Sequence, residues 1–228
     1  IVWSPDGKHI AFTRFVPSPP PKLADMPAKP KGAKWAEPAT VVDRMTFRFD
    51  GGGYLPTGNQ QVFVVPADGG TPRQMTSGDY PISGSVSWMP DSQSIIFSSN
   101  RREDVEYHPR QNDLYAASLV TGELTQMTDH AGPESDPAVS PNGRYLAYTS
   151  AADTRQGYNR SDLRIMDLTS GESRSLTADL DRSVSDIQWS ANSKDVWIRY
   201  NDLGVARIAE VDLKGNLKQA DIVLGGTA

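Results

Sequence analysis

The chain has 228 residues, a formal net charge of −5 at neutral pH and no cysteine. The acidic balance and the absence of a dense basic cluster argue against a nucleic-acid partner, and no apolar run approaches the ~20 residues that span a bilayer. Without cysteine there is no disulfide, no cysteine-ligated zinc and no cysteine nucleophile, but this does not decide between cytoplasm and periplasm.

The first predicted element is a hairpin in the stretch WSPDGKHIAF, which runs from Trp3 to Phe12. Its turn, Ser-Pro-Asp-Gly, suits a tight loop because proline fixes φ, aspartate bonds its own backbone and glycine accepts the left-handed conformation. The flanking apolar residues suit strands. Similar stretches return three times along the chain, over Val86–Ser99, Ala138–Ser150 and Ile187–Tyr200.

A second motif of strand, glycine-containing turn and strand alternates with the first. Its copies cover Val62–Thr76, Leu114–Thr128, Leu163–Thr177 and, less clearly, Ile208–Gln219. Together the two motifs give four short antiparallel strands, named A to D, in a repeat of about 50 residues, which is typical of a β-propeller blade. An open sandwich with chance similarity is the alternative.

The sequence therefore predicts an all-β propeller segment with about four four-stranded blades over residues 1–228. Blade 1 covers about 1–76, blade 2 about 84–128, blade 3 about 136–177 and blade 4 about 185–224. We expect these blades to belong to a larger ring, and blade edges left exposed would allow oligomers.

Two details of the repeat lead to specific expectations. Ser92 and Ser193 replace the turn glycine in blades 2 and 4, which predicts looser turns or another turn type. Trp3, Trp88 and Trp189 recur just before the turn on strand A, where an aromatic side chain is expected to pack between neighbouring blades.

Blade 1 carries a proline-rich insertion at about residues 17–60. Its composition predicts an extended, poorly ordered excursion and not a folded subdomain. Strand character returns over Thr40–Phe49, and the flexible turn Asp50–Gly53 follows. The three glycines lack the strand-to-helix setting and the lysine of a phosphate-binding loop.

Because neighbouring strands of a blade are antiparallel, the A–B and C–D turns lie at one end of the blades. The B–C loops and D–A linkers lie at the other end. The second end, here called the loop-rich face, collects the irregular segments, and long loops on a rigid scaffold commonly carry binding functions. Its segments are the insertion, Asn100–Asp113, Thr128–Pro137, Ala151–Asp162 and Thr177–Ser185.

The sequence predicts no catalytic residue, no cofactor and no metal site. No Gly-x-Ser-x-Gly pentapeptide occurs, and a metal site at His108 and His130 would need carboxylates that the fold happened to place nearby. Glu106, Asp129 and Glu134 are near these histidines in sequence only.

The loop Asn100–Asp113 is unusual because charged and aromatic side chains crowd it. It fits a solvated, self-neutralising loop, and it also fits a site that docks another domain or holds the charged end of a peptide. The candidate residues for such a site are Arg101, Arg102, Glu103, Glu106, Tyr107 and Arg110.

Several phased segments resemble the N-terminal propeller of the prolyl oligopeptidase family of serine peptidases, and in particular its acylaminoacyl-peptidase and dipeptidyl-peptidase-like bacterial branch. They are VVDRMTFRFDGGGY, VFVVPADGGTPRQMTSGDY, SSNRREDVEYHPRQNDLY, SDPAVSPNGRYLAYTS and LDRSVSDIQWSANSKDVW. The resemblance implies a second domain, a C-terminal α/β-hydrolase that carries the catalytic residues. The propeller would cap its active site and restrict access to short or unfolded peptides.

The resemblance also implies roles for the loop residues. Glu106, and less so Glu103, have the chemistry to hold the free amino terminus of a peptide, although the family's glutamate pair lies in a different type of connection. Arg102 or Arg110 would instead suit a blocked or carboxylate-bearing end. The competing hypothesis is a free-standing TolB-like propeller that binds a protein partner.

Overall fold

A computed structural model describes residues 1–19, 22, 24–25, 27–36, 39–154, 156–222 and 224. In these residues every regular element is a β-strand, and the strands form four four-stranded antiparallel sheets and one two-stranded sheet. None of the elements described is a helix long and apolar enough to cross a bilayer. The strands of each four-stranded sheet follow one another in chain order, so each sheet is one blade.

The strand bounds follow the two sequence motifs. Blade 1 contains β1 (Val2–Trp3), β2 (His9–Pro17), β5 (Gly58–Pro66) and β6 (Arg73–Gln74), and its B–C connection carries β3 (Arg48–Phe49) and β4 (Gly53–Tyr54). Blade 2 contains β7 (Ile82–Trp88), β8 (Ser94–Ser99), β9 (Asp113–Ser118) and β10 (Leu124–Gln126). Blade 3 contains β11 (Glu134–Val139), β12 (Tyr145–Ala151), β13 (Ser161–Asp167) and β14 (Ser173–Ser175). Blade 4 contains β15 (Val184–Trp189), β16 (Asp195–Asp202), β17 (Val205–Asp212) and β18 (Leu217–Gln219).

The blades stack face to face because alternate residues of each strand point to opposite faces. On β8, Ile95 and Phe97 join the apolar core shared with blade 1, whereas Ile96 joins the core shared with blade 3. A third core joins blades 3 and 4. The inner strands also pack on one another, β7 on β11 and β11 on β15. The predicted all-β propeller architecture with four blades is confirmed, and the described blades form an arc and not a closed ring.

The four A–B turns share one geometry, so the predicted loosening at Ser92 and Ser193 was wrong. Ser92 and Ser193 have φ values of 60° and 59°, close to those of the turn glycines in blades 1 and 3. The same hydrogen bonds close all four turns, for example from the Ser92 amide to the Met89 carbonyl at 2.9 Å. The serine hydroxyl explains the tolerance, because Ser92 Oγ accepts a hydrogen bond from the Asp6 amide of blade 1 at 3.2 Å. Likewise, Ser193 Oγ accepts a hydrogen bond from the Asn142 amide of blade 3 at 3.1 Å.

This contact predicts that the Ser92 hydroxyl stabilises the boundary between blades 1 and 2. Ser92→Ala keeps the left-handed backbone and loses the hydrogen bond, so the free energy of unfolding should fall by about 1 kcal/mol. Ser92→Gly loses the same bond but relieves the backbone strain of about 1 kcal/mol, and should be nearly neutral. Urea unfolding of both variants checks this, and an alanine variant as stable as the parent chain would contradict it.

Two of the three recurring tryptophans have the predicted position between neighbouring blades. Trp88 is buried, and its Nε1 donates a hydrogen bond to the Val2 carbonyl of blade 1 at 3.2 Å. Trp189 Nε1 donates to the Ala138 carbonyl of blade 3 at 2.8 Å. Both therefore bridge neighbouring blades as expected. Trp3 is 60% exposed, and no described blade precedes blade 1, so the prediction for this residue is not tested.

The insertion contains one short hairpin. Strand β2 ends at Pro17 and β5 begins at Gly58, so the connection covers 18–57. The return to strand character predicted over Thr40–Phe49 is confirmed for Arg48–Phe49, which form β3 and pair with β4. Outside β3 and β4, the described residues of this connection form no helix or strand. Part of the proline-rich stretch for which an extended excursion was predicted lies outside the described residues, at 20, 21, 23, 26, 37 and 38.

Candidate functional site

The loop-rich face is a connected surface. Gln111, at the end of the β8–β9 loop, donates through Nε2 to Asp153 Oδ2 of the β12–β13 loop at 3.2 Å. Gln111 Oε1 accepts a hydrogen bond from the Gly132 amide, in the linker between blades 2 and 3, also at 3.2 Å. The Asn112 carbonyl accepts from the Glu134 amide at 2.9 Å. Three segments that the sequence assigned to one face are thus tied together by hydrogen bonds.

The arginines of the loop Asn100–Asp113 have different surroundings. The Arg101 guanidinium lies 4.3 Å from the centre of the Tyr80 ring and 5.7 Å from that of Tyr115, so it is held by aromatic faces. Arg102 Nε is 2.9 Å from Asp104 Oδ1. This pair raises the pKa of Arg102 and lowers the pKa of Asp104. Both arginines therefore have partners within the domain.

The other candidate residues of this loop also have different surroundings. Glu106 accepts a hydrogen bond from the Met45 amide of the insertion at 3.1 Å, while Glu103 is exposed. Tyr107 and Arg110 line a cavity of about 410 Å³ together with His108, Pro109, Gln111 and Asp153. Of the six predicted site residues, Tyr107 and Arg110 line the same cavity.

Buried carboxyl groups lie beneath this face, at the boundary between blades 2 and 3. Glu134 is 0% exposed, and its burial raises the pKa of the carboxyl to about 7, with the Thr128 hydroxyl and the Arg164 charge opposing the rise. Burial also raises the pKa of Asp113 to about 6, and the nearby charge of Asp129 contributes. Desolvation therefore disfavours the charged form of both carboxyls.

The structure does not bring together the histidines and carboxylates that were considered for a metal site. Among the described residues, no three His, Cys, Asp or Glu side chains are grouped so that they could hold a metal ion. His108 instead lies 3.4 Å from Asp104 within its own loop. His130 lines a separate cavity at the β12–β13 loop.

That cavity is a feature that sequence reasoning did not identify. It has a volume of about 420 Å³, and its lining includes the charged residues Arg160, Asp162 and Arg164 together with His130. Arg160 Nε pairs with Asp162 Oδ1 at 3.0 Å. The irregular segment Ala151–Asp162 was the sequence feature that could have indicated this cavity. Nothing in the sequence indicated that Arg164, a residue of β13, also lines it. The whole face offers binding groups and cavities, and its arrangement suits recognition of a charged or polar partner.

The chain matches the family described as the dipeptidyl peptidase IV (DPP IV) N-terminal region over residues 33–154. It is 30% identical over 139 residues to dipeptidyl-peptidase 5 of Porphyromonas gingivalis, a match covering 58% of this chain and 20% of that protein. The chain spans between about a fifth and a half of the length of the first curated relatives it matches.

Two solved structures show the same fold. The acylaminoacyl peptidase of Pyrococcus horikoshii superposes with a TM-score of 0.64 at 15% identity, over 98% of this chain and 31% of that one. A putative TolB from Agrobacterium tumefaciens gives a TM-score of 0.56 at 18% identity, over 95% of this chain and 78% of that one. At these identities the likeness extends to the fold alone.

Proposed function

The chain belongs to the family of dipeptidyl peptidase IV N-terminal regions, and from this premise we propose that it is a non-catalytic propeller domain that gates a serine peptidase. Its partner in this proposal is a C-terminal α/β-hydrolase domain of the same parent protein, which the resemblance to the prolyl oligopeptidase family implies. The propeller would admit short or unfolded peptides and help to select among them.

The observation that carries the proposal is the connected loop-rich face. Gln111 joins the β8–β9 loop, the linker before blade 3 and the β12–β13 loop through hydrogen bonds of 3.2 Å. Loops fixed in this way present a defined surface with two cavities, which is what a domain that covers an active site needs. The competing function, a TolB-like module that binds a protein, is supported by the fold likeness to a putative TolB.

The gate is tested by substrate size in the full-length protein. We expect cleavage of chromogenic dipeptidyl or acylaminoacyl substrates that is blocked by a serine-directed inhibitor, together with very little cleavage of a folded protein. Cleavage of a folded protein as readily as of its unfolded form would contradict the gate. A full-length protein with no hydrolase activity would favour the protein-binding module.

The selection role predicts an effect of Glu106→Ala in the full-length protein. If Glu106 holds a free amino terminus, KM for peptides with that group should rise about tenfold, because a charge-assisted hydrogen bond is worth one to two powers of ten in affinity. N-acetylated peptides of the same sequence should be unaffected. Steady-state kinetics on both series make the comparison.

Glu172→Ala is the matched control, since Glu172 is exposed on the β13–β14 turn at the opposite end of the blades. Equal losses on free and acetylated peptides in Glu106→Ala would exclude the amine anchor. That result would leave Glu106 with the role the structure shows, as an acceptor for the insertion at Met45.

A further inference from the structure

The linker between blades 2 and 3 is hydrogen-bonded to structure on both of its sides. We call residues 128–134 the strap; its last residue, Glu134, is also the first residue of β11. On the side of blade 2, the Glu134 amide donates to the Asn112 carbonyl at 2.9 Å. The Ser98 hydroxyl of β8 donates to the Glu134 carbonyl at 2.6 Å. The end of the strap is therefore fixed to blade 2 through its backbone.

The other side of the strap is bonded to blade 3. The Ala151 amide donates to the Pro133 carbonyl at 3.1 Å, and the Asp153 amide donates to the Ala131 carbonyl at 3.2 Å. The strap also adjoins both cavities of the loop-rich face, because His130 lines one of them and Asp153 lines the other. A movement of the strap would therefore change both cavities.

The Glu134 side chain lies where a charge is poorly accommodated. The residue is 0% exposed. Among the described residues, no group makes a hydrogen bond of ordinary geometry to either carboxyl oxygen, although the Thr128 hydroxyl lies nearby. A buried carboxylate without firm donors is much less stable than the neutral carboxyl in the same place.

Charged side chains on both flanking blades act on this carboxyl. Asp113 on β9 and Asp129 in the strap disfavour its ionisation, whereas Arg164 on β13 favours it. Asp113 is itself affected by Arg102, which favours the ionised form of Asp113. The two acids next to Glu134 oppose the single arginine, so an ionised Glu134 would gain little compensation for its burial.

We propose that the strap is a pH-dependent switch of the loop-rich face, closed while the Glu134 carboxyl is neutral and released when that carboxyl ionises. Release lets the carboxylate reach water and breaks the bonds from the strap to Asn112, Ala151 and Asp153. The two cavities beside the strap then lose their fixed shape. This inference concerns the order of the loop-rich face and does not rest on the gating function.

The direction of the pH dependence follows from where the proton is held. In the closed strap the pKa of Glu134 is about 7, and in the released strap, where water reaches the carboxyl, the ordinary value of 4.5 applies. Between these values the closed state holds a proton that the released state has lost. The released fraction therefore rises with pH up to about 7 and then levels off.

The experiment is hydrogen–deuterium exchange of the full-length protein at pH 6, 7 and 8, with mass spectrometry of peptides that cover 128–134 and 151–154. Rates are corrected for the pH dependence of unprotected amides. We expect the corrected exchange to rise at least about tenfold between pH 6 and 8, from the two pKa values of Glu134. Peptides from the core strands β16 and β17 should exchange much more slowly. Equal exchange in both regions would mean that only the whole domain opens, and would overturn the proposal.

Glu134→Gln removes the charge and keeps the size of the side chain. In this variant the exchange of the strap should change by no more than about twofold between pH 6 and 8, the remaining part coming from Asp113. Glu123→Gln, at an exposed carboxylate in the β9–β10 turn, is the matched control and should behave as the parent chain. A rise in Glu134→Gln as large as in the parent would overturn the proposal.

Two neighbouring substitutions test the switch with Glu134 in place. Asp113→Asn removes a negative charge and lowers the pKa of Glu134, whereas Arg164→Gln removes a positive charge and raises it. The pH at which exchange levels off should therefore move down in the first variant and up in the second. Shifts in the same direction, or no shift in either, would overturn the proposal. The substrate-size test of the gate uses a different readout, so either proposal can fail while the other holds.

Discussion

Raising the pH from 5 to 8 is expected to lower the free energy of unfolding of the chain by about 3 kcal/mol, with Glu134 as the main cause. Glu134 is 0% exposed at the start of β11, and its pKa in the folded chain is raised to about 7. Its ordinary value of 4.5 applies in the unfolded chain. At a pH between these two pKa values, the Glu134 carboxyl holds a proton in the folded state that it has released in the unfolded state.

The sign of the effect follows from this difference. Between pH 4.5 and about 7 the folded state binds more protons at Glu134, so the contribution of Glu134 to stability is fully present below that window and is lost as the pH rises through it. Asp113, with a pKa raised to about 6, acts in the same direction over the lower part of the window. Arg164 opposes the shift of Glu134, and the charge of Asp129 adds to both shifts.

Glu134→Gln separates the two carboxyls, because the amide does not titrate. We expect urea unfolding at half-unit pH steps to show a much weaker decline between pH 6 and 8 in this variant. Glu123→Gln, a change at an exposed carboxylate in the β9–β10 turn, should keep the decline of the parent chain. If the Glu134→Gln variant loses stability over pH 6–8 as steeply as the parent, Glu134 is not protonated in the folded state.

The repeat geometry was predictable because it rests on local turn chemistry. The Ser-Pro-Asp-Gly turn and its phase with the second motif are sufficient to place all four blades. The same local argument failed at Ser92, because the hydroxyl that supports its left-handed backbone bonds to Asp6, which is 86 positions away in sequence. A contact between neighbouring blades is invisible to a rule that considers one turn at a time.

The candidate site was harder to predict for a related reason. Charge density identified the loop Asn100–Asp113, but it did not show that Arg101 faces Tyr80 and Tyr115 or that Glu106 faces the insertion. Which charged side chain turns inward depends on the segments packed beside the loop. Arg164 was missed because a polar residue on a predicted strand is normally a solvated one.

Trp88→Ala is expected to cost about 3–5 kcal/mol of unfolding free energy, as for other buried tryptophan truncations. Trp88 is 6% exposed and belongs to the apolar core between blades 1 and 2, with Val62, Val64 and Phe97. The change removes that contact area and also the hydrogen bond from Nε1 to the Val2 carbonyl at 3.2 Å. The loss is a large fraction of the stability of a typical domain, which is about 5–15 kcal/mol.

The chain supplies its own control at the same repeat position. Trp3 precedes the equivalent turn of blade 1 and is 60% exposed, so Trp3→Ala should change the free energy of unfolding by less than about 1 kcal/mol. Urea unfolding followed by circular dichroism applies to both variants, because each keeps four of the five tryptophans. Similar losses in the two variants would mean that the tryptophan acts within its own blade, whereas a large loss for Trp88 alone would locate its contribution in the contact between blades.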